Sequence, residues 1–79
     1  MTIDEDLTPL GREVLSSLGA EWATADEVAE SPGVRDYLER HQKSRFSQRL
    51  VVASLNSLCD YGLAEAWHDG TQRRWRLRL

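Results

Sequence analysis

A chain of 79 residues, 41% hydrophobic and 29% charged, has room for one compact domain, which at this length buries only about 60% of the surface its unfolded chain exposes. That composition excludes the profile of disorder, and no apolar run approaches the roughly 20 residues that span a bilayer. The net charge of −3 conceals an asymmetry, because residues 1–34 carry eight acids against the single base Arg12, while residues 35–79 carry nine bases against five acids.

Residues 1–6, with Asp4, Glu5 and Asp6, read as an acidic, flexible tail without the basic and apolar layout of a secretion signal. A cytoplasmic location and no membrane partner are therefore expected. In "LTPLGREVLSSLG", Thr8 suits an N-cap, Pro9 the first helical position and Gly19 the stop, and Leu7, Leu10, Val14 and Leu18 recur on one face with Leu15 at its edge. "AEWATADEVAE" follows, where Trp22 suggests a short extended piece leading into a second helix. The T-x-x-E from Thr24 to Glu27 is a capping box, with Asp26 and Glu27 at the positive end of the helix dipole and Val28 and Ala29 facing inward. Ser31-Pro32-Gly33 should end this helix, since proline removes a donor and disfavours helical backbone in the residue before it.

Residues 34–43 carry a separate amphipathic signal in Val34, Tyr37, Leu38 and His41, supported by the i, i+4 pairs Asp36/Arg40 and Glu39/Lys43. His41 on this stripe is expected to be partly buried. The longest helical stretch, residues 44–61, gathers Ser47, Leu50, Val51, Ser54, Leu55, Leu58 and Tyr61 on one side and Arg45, Gln48, Arg49, Val52 and Asn56 on the other, and Gly62 should end it. The rest reads as a hairpin around Asp69-Gly70, with Arg73, Trp75, Leu77 and Leu79 alternating against Arg74, Arg76 and Arg78. A two-residue turn would set Leu63 on the face of Arg74 and Arg76. An odd loop, Asp69-Gly70-Thr71, would set Leu63 and Trp67 with Trp75 and Leu77, and burying apolar groups together favours it. Trp67 and Trp75 are then expected to pack on the helices, and Trp22 in the core.

Helix, short extended piece, helix, break, long helix and basic hairpin together resemble a winged helix-turn-helix domain. "TADEVAE" is similar to the first helix of the helix-turn-helix unit, and "LNSLCDYGLAEAW" to a recognition helix running into the wing in prokaryotic transcription regulators of the MarR and ArsR kind. The resemblance covers residues 7–79 and implies an α+β, mainly helical domain of three helices, an extra short helix inserted at about 31–43, and a C-terminal β-hairpin wing. The long connection over 31–43 departs from the usual short turn, so either a helix is inserted or residues 33–43 form the second member of a different helical arrangement.

The resemblance further implies sequence-specific binding of double-stranded DNA, as in a small transcription regulator or a phage- or plasmid-type accessory factor. Residues 44–61 would be the recognition helix in the major groove, where arginine pairs bidentately with guanine and glutamine with adenine. Arg45, Gln48 and Arg49 would then read bases. Ser44 and Ser47 would reach phosphates, and Arg73, Arg74 and Arg76 of the wing, residues 63–79, would hold the DNA backbone. Two plainer readings stand beside this, an arginine-solvated helix face and a basic edge strand that resists edge-to-edge pairing.

The alternative function is a winged-helix module for protein contact through the basic wing or the inserted helix, marked by an exposed apolar patch around Val34, Tyr37, Leu38 and Val52. A homodimer or a protein partner would use the acidic N-terminal half or the inserted helix. No enzyme activity is expected, because no nucleophile-base pair, phosphate loop or carboxylate dyad stands at useful spacing. The single cysteine, Cys59, excludes an internal disulfide, and with His41 and His68 far apart no metal or other cofactor is expected.

Overall fold

Every helix but one opens on the residue chemistry that its sequence advertises. The structure, a computed structural model, describes residues 7–78; the acidic tail expected at 1–6 and Leu79 lie outside the described residues. Helix α1, Pro9–Ser17, begins where Thr8 accepts a hydrogen bond from the Gly11 N–H at 2.9 Å. It ends at Leu18, whose extended backbone (φ −78°, ψ 144°) turns the chain out one residue ahead of the expected glycine stop. Gly19 serves the sheet instead, its carbonyl accepting from the Leu77 N–H at 3.0 Å.

Strand β1, Ala23–Thr24, is the short extended piece, and helix α2, Ala25–Ala29, follows with its capping box complete. The Thr24 hydroxyl accepts from the Glu27 N–H at 3.2 Å, and the Glu27 carboxylate accepts from the Thr24 N–H at 3.1 Å. Helix α3, Pro32–Arg40, starts at the proline itself. Pro32 thus ends one helix and begins the next, because the first helical position needs no N–H donor. The extra helix therefore starts two residues before Val34 and stops at Arg40 rather than at residue 43. Asp36 and Arg40 pair at 2.8 Å, but Glu39 turns back to Arg35 at 3.2 Å instead of forward to Lys43. His41, expected to be partly buried, is exposed and stacks on the Tyr37 ring with centroids 4.2 Å apart, since the helix has already ended and the chain is turning away from the core.

A 3-10 turn, Ser44–Phe46, precedes helix α4, Ser47–Asp60, so the stretch expected as one helix over 44–61 is an α-helix with a tighter turn in front. Helices α3 and α4 end alike. The N–H groups of Gln42 and Lys43 reach the carbonyls of Glu39 and Leu38, and those of Gly62 and Leu63 reach Cys59 and Leu58, the paired bonds of a Schellman motif. That motif needs a left-handed residue, supplied by Gln42 (φ 56°) and Gly62 (φ 77°). Leu63 thereby takes the inward place, and Tyr61, expected on the core side, is left 42% exposed.

Strands β2, Ala64–His68, and β3, Arg73–Leu77, form the hairpin, and β1 adds on the far side of β3 to give an antiparallel sheet in the order β1-β3-β2. The register is even. Ala66 opposes Trp75 and Trp67 opposes Arg74, with Asp69 and Gln72 closing on Gly70-Thr71 through the Asp69 N–H at 3.1 Å from the Gln72 carbonyl. The odd loop is thus overturned for two reasons. Gly70, at φ 97°, supplies the positive φ that the first position of a II′ turn requires, and the small Ala64 and Ala66, not Leu63 and Trp67, share a face with Trp75. Trp67 is left 53% exposed. It stacks at 6.0 Å on Trp22, which is half-buried outside the core rather than within it.

The core is one cluster, to which α1 brings Leu10 and Val14, α2 and α3 bring Val28, Val34 and Leu38, α4 brings Val51, Leu55 and Leu58, and the sheet brings Ala64 and Trp75. Helix α1 lies against α3 and α4, and α2 lies against α4. The molecule is α+β and mainly helical, with α4 packed between the other helices and β2 and its first turn left in solvent.

Candidate nucleic-acid interface

The start of α4 differs from the starts of α1 and α2. Phe46 occupies the cap position and cannot accept a hydrogen bond from the backbone, and no acidic residue lies in the first turn. The partial positive charge of the helix end is therefore left without the carboxylates that α2 has in Asp26 and Glu27. Arg45, Gln48 and Arg49 are all exposed around it. Among the described residues neither arginine has a carboxylate within ion-pair distance. The Arg45 guanidinium lies 5.6 Å from the centre of the Phe46 ring, and Phe46 itself is 51% exposed. With Ser47 and Val52 these side chains line an open concavity of about 600 Å³.

The arginines of the hairpin are held otherwise. Arg74 pairs with Asp69 at 2.7 Å and with Glu27 at 3.7 Å, and Arg76 pairs with Glu65 while lying 4.3 Å over the Trp22 ring. Asp69 also accepts from the N–H groups of Thr71 and Gln72 and from the Thr71 hydroxyl. The Arg74 guanidinium, followed by those turn donors, holds the Asp69 carboxyl well below the usual carboxylate range. Two arginines and three carboxylates thus share the outer face of the sheet. Arg73 and Arg78 are exposed and unpaired among the described residues.

With protein families, curated proteins and solved structures alike, comparison gives no match. The site therefore rests on its own geometry.

Of the eight residues marked by sequence, the structure gathers Arg45, Ser47, Gln48 and Arg49 on one concave surface. Ser44 and Ser47 also border a smaller recess with Glu30, Arg35 and Glu39, so carboxylates flank those hydroxyls. Arg73 belongs to the opposite end of α4. It lies close enough to Cys59 to oppose the burial that pushes that thiol up, while Asp60 adds to the rise. Arg74 and Arg76 stand apart from both groups, in the ion pairs of the sheet.

Sequence reasoning missed Phe46. Its signal was present in "KSRFSQR", an aromatic ring with polar neighbours on both sides and no place on the apolar stripe of the helix. The apolar patch expected to mark a protein-docking module is absent from the surface, because Val34 and Leu38 are buried. A different groove, of about 450 Å³, runs between α1 and α4 past Leu7, Leu10, Tyr37, Leu50 and Tyr61. Among the described residues, no three metal-ligating side chains gather, and no helix is long and apolar enough to cross a membrane.

Proposed function

We propose that this protein binds double-stranded DNA as a winged helix-turn-helix domain, in the manner of a small transcription regulator or accessory factor. The observation that carries the reading is the start of α4, where Arg45, Gln48 and Arg49 stand exposed around a helix end without a side-chain cap, and neither arginine is in an ion pair among the described residues. Arginine and glutamine match the acceptor and donor edges of guanine and adenine, and a helix start is the part that enters the major groove. Arg45, Gln48 and Arg49 are the base-reading residues of this reading.

The hairpin acts as the wing, with a narrower grip than its four arginines suggest. Arg73 and Arg78 are available for phosphates, whereas Arg74 and Arg76 would first have to leave Asp69, Glu27 and Glu65. The 14 residues of α4 span about 21 Å, close to the roughly 17 Å, half a helical turn, between neighbouring grooves of B-DNA. Base reading at one end and phosphate contact by Arg73 at the other are therefore compatible with one duplex. The carboxylates of α2, α3 and the outer sheet face then oppose other docking orientations.

The test is selection of bound sites from random duplex DNA, followed by anisotropy titrations of a selected site at several salt concentrations. With about four or five phosphates neutralised, log affinity should fall with log salt at a slope near −4. Absent or salt-independent binding would falsify the reading. The protein-contact alternative draws its support from the neutralised wing arginines and the groove between α1 and α4, and it predicts that absence.

A further inference from the structure

Resting on the DNA-binding reading, we propose that Phe46 reads the C5-methyl group of a pyrimidine, thymine in unmodified DNA, beside a guanine taken by Arg45. Phe46 is half-exposed in the 3-10 turn that leads into α4, although the chain has a well-packed core a few residues further on. The exposed part of the ring is apolar surface that a partner could bury with a gain in free energy.

The surroundings of the ring identify the class of partner. Its neighbours are Arg45, Ser47, Gln48 and Arg49, a cationic and amide-bearing rim suited to an anionic, hydrogen-bonding surface and ill suited to an apolar protein face. The major groove offers such a surface. It presents acceptors, donors and a single apolar group, the C5-methyl of thymine, and 5-methylcytosine carries the same group. A ring that can neither donate nor accept a strong hydrogen bond matches that group alone. The Arg45 guanidinium stands beside the ring, 5.6 Å from its centre, so the pair presents a bidentate donor next to an apolar plate. That combination fits guanine next to a methylated pyrimidine, the step TG, better than any step without a methyl group.

Ring and guanidinium also constrain one another. Arg45 held near the Phe46 face loses less side-chain freedom on binding, so Phe46 contributes to guanine contact as well as to methyl contact. Val52, half-buried on α4, adds apolar surface to the same concavity.

The experiment compares by anisotropy 20-base-pair duplexes of alternating (TG)·(CA), the same duplex with uracil in place of thymine, and an alternating CG duplex whose cytosines carry the 5-methyl group, which sets that methyl 5′ of guanine as thymine does. Uracil pairs like thymine and lacks only the methyl. Burying one methyl is worth about a fourfold change in affinity, the equivalent of about 0.8 kcal/mol. The wild-type chain should therefore bind the thymine duplex about fourfold more tightly than the uracil duplex, and binding of the methylated CG duplex as tight as that of the thymine duplex would show that 5-methylcytosine serves equally. Phe46→Ala should bind the first two duplexes alike, Phe46→Leu should keep part of the preference, and both should melt like the wild type because the ring is outside the core. Salt-dependent binding that ignores the methyl overturns the proposal while leaving DNA binding intact, as does a preference that survives in Phe46→Ala. Failure to bind any duplex removes the DNA-binding reading and this proposal with it.

Discussion

At the start of α4, Arg45 and Arg49 stand in solvent with no carboxylate of the described residues beside them, whereas Arg74 and Arg76 lie on the sheet against Asp69, Glu27 and Glu65, one of them stacked on Trp22. The four side chains are chemically identical, yet their positions suit different work. A guanidinium in water meets an anion at the cost of its own partial desolvation, while one already paired must also give up a charge-assisted hydrogen bond. The first pair is thus suited to a partner and the second to holding the hairpin. Asp69 makes the second role concrete, because one carboxylate closes the turn through Thr71 and Gln72 and ties it to Arg74.

The largest effect is expected where the sheet is anchored. Trp75, only 3% exposed, joins the hairpin to the core, and Trp75→Ala should cost about 3–5 kcal/mol in urea unfolding; a loss under 1 kcal/mol would detach the hairpin from the account. A direct contrast comes next. Arg74→Ala should lower stability by about 1 kcal/mol, a shift of roughly 4–8 °C in Tm for a chain this size, while Arg49→Ala should stay within about 0.5 kcal/mol. The reverse order would mean that the two arginine groups have been assigned the wrong way round.

Gln42 lies outside both groups of arginines. Its left-handed backbone (φ 56°) completes the end of α3 without glycine, and such a conformation costs an ordinary residue about 1–2 kcal/mol. Gln42→Gly should raise stability by about 1 kcal/mol after the added freedom of the unfolded chain is subtracted, and a lowered Tm would contradict that. The smallest effect is pH-dependent. Since folding depresses the Asp69 carboxyl, its contribution is present in full above its unfolded value of about 4 and is lost as pH falls toward the lower native value. The stability difference between wild type and Asp69→Asn should therefore shrink from pH 5 to pH 2, and a constant difference would remove Asp69 from that role.

Local signals in the sequence were legible where the physics is local. Thr8, the Thr24/Glu27 box and the leucine stripe of α1 act within one or two turns, and each stands where its spacing predicts. Pro32 was legible as a break but not as the start of α3, because one residue type serves both ends of a helix. The hairpin register was misread because it rests on cooperation between distant elements. Trp22 covers Trp67 and Ala64 joins the helix core, and no spacing rule within residues 63–79 contains those partners. The same reason hid the pairing of the hairpin arginines, since Glu27 reaches Arg74 only once β1 has joined β3. The basic start of α4 was legible as charge, while the exposed Phe46 within it needed the split between the 3-10 turn and the helix.

The most direct test of the central claim is the ratio of affinities for a selected duplex and a scrambled one, measured for Arg45→Ala/Arg49→Ala beside Arg73→Ala. If α4 reads bases and the wing grips phosphate, the double variant should lose at least about tenfold of that ratio, since one good bidentate arginine contact is worth about 1–3 kcal/mol of discrimination. Arg73→Ala should weaken both duplexes alike and keep the ratio. A double variant that binds both duplexes more weakly with its ratio unchanged would contradict the account.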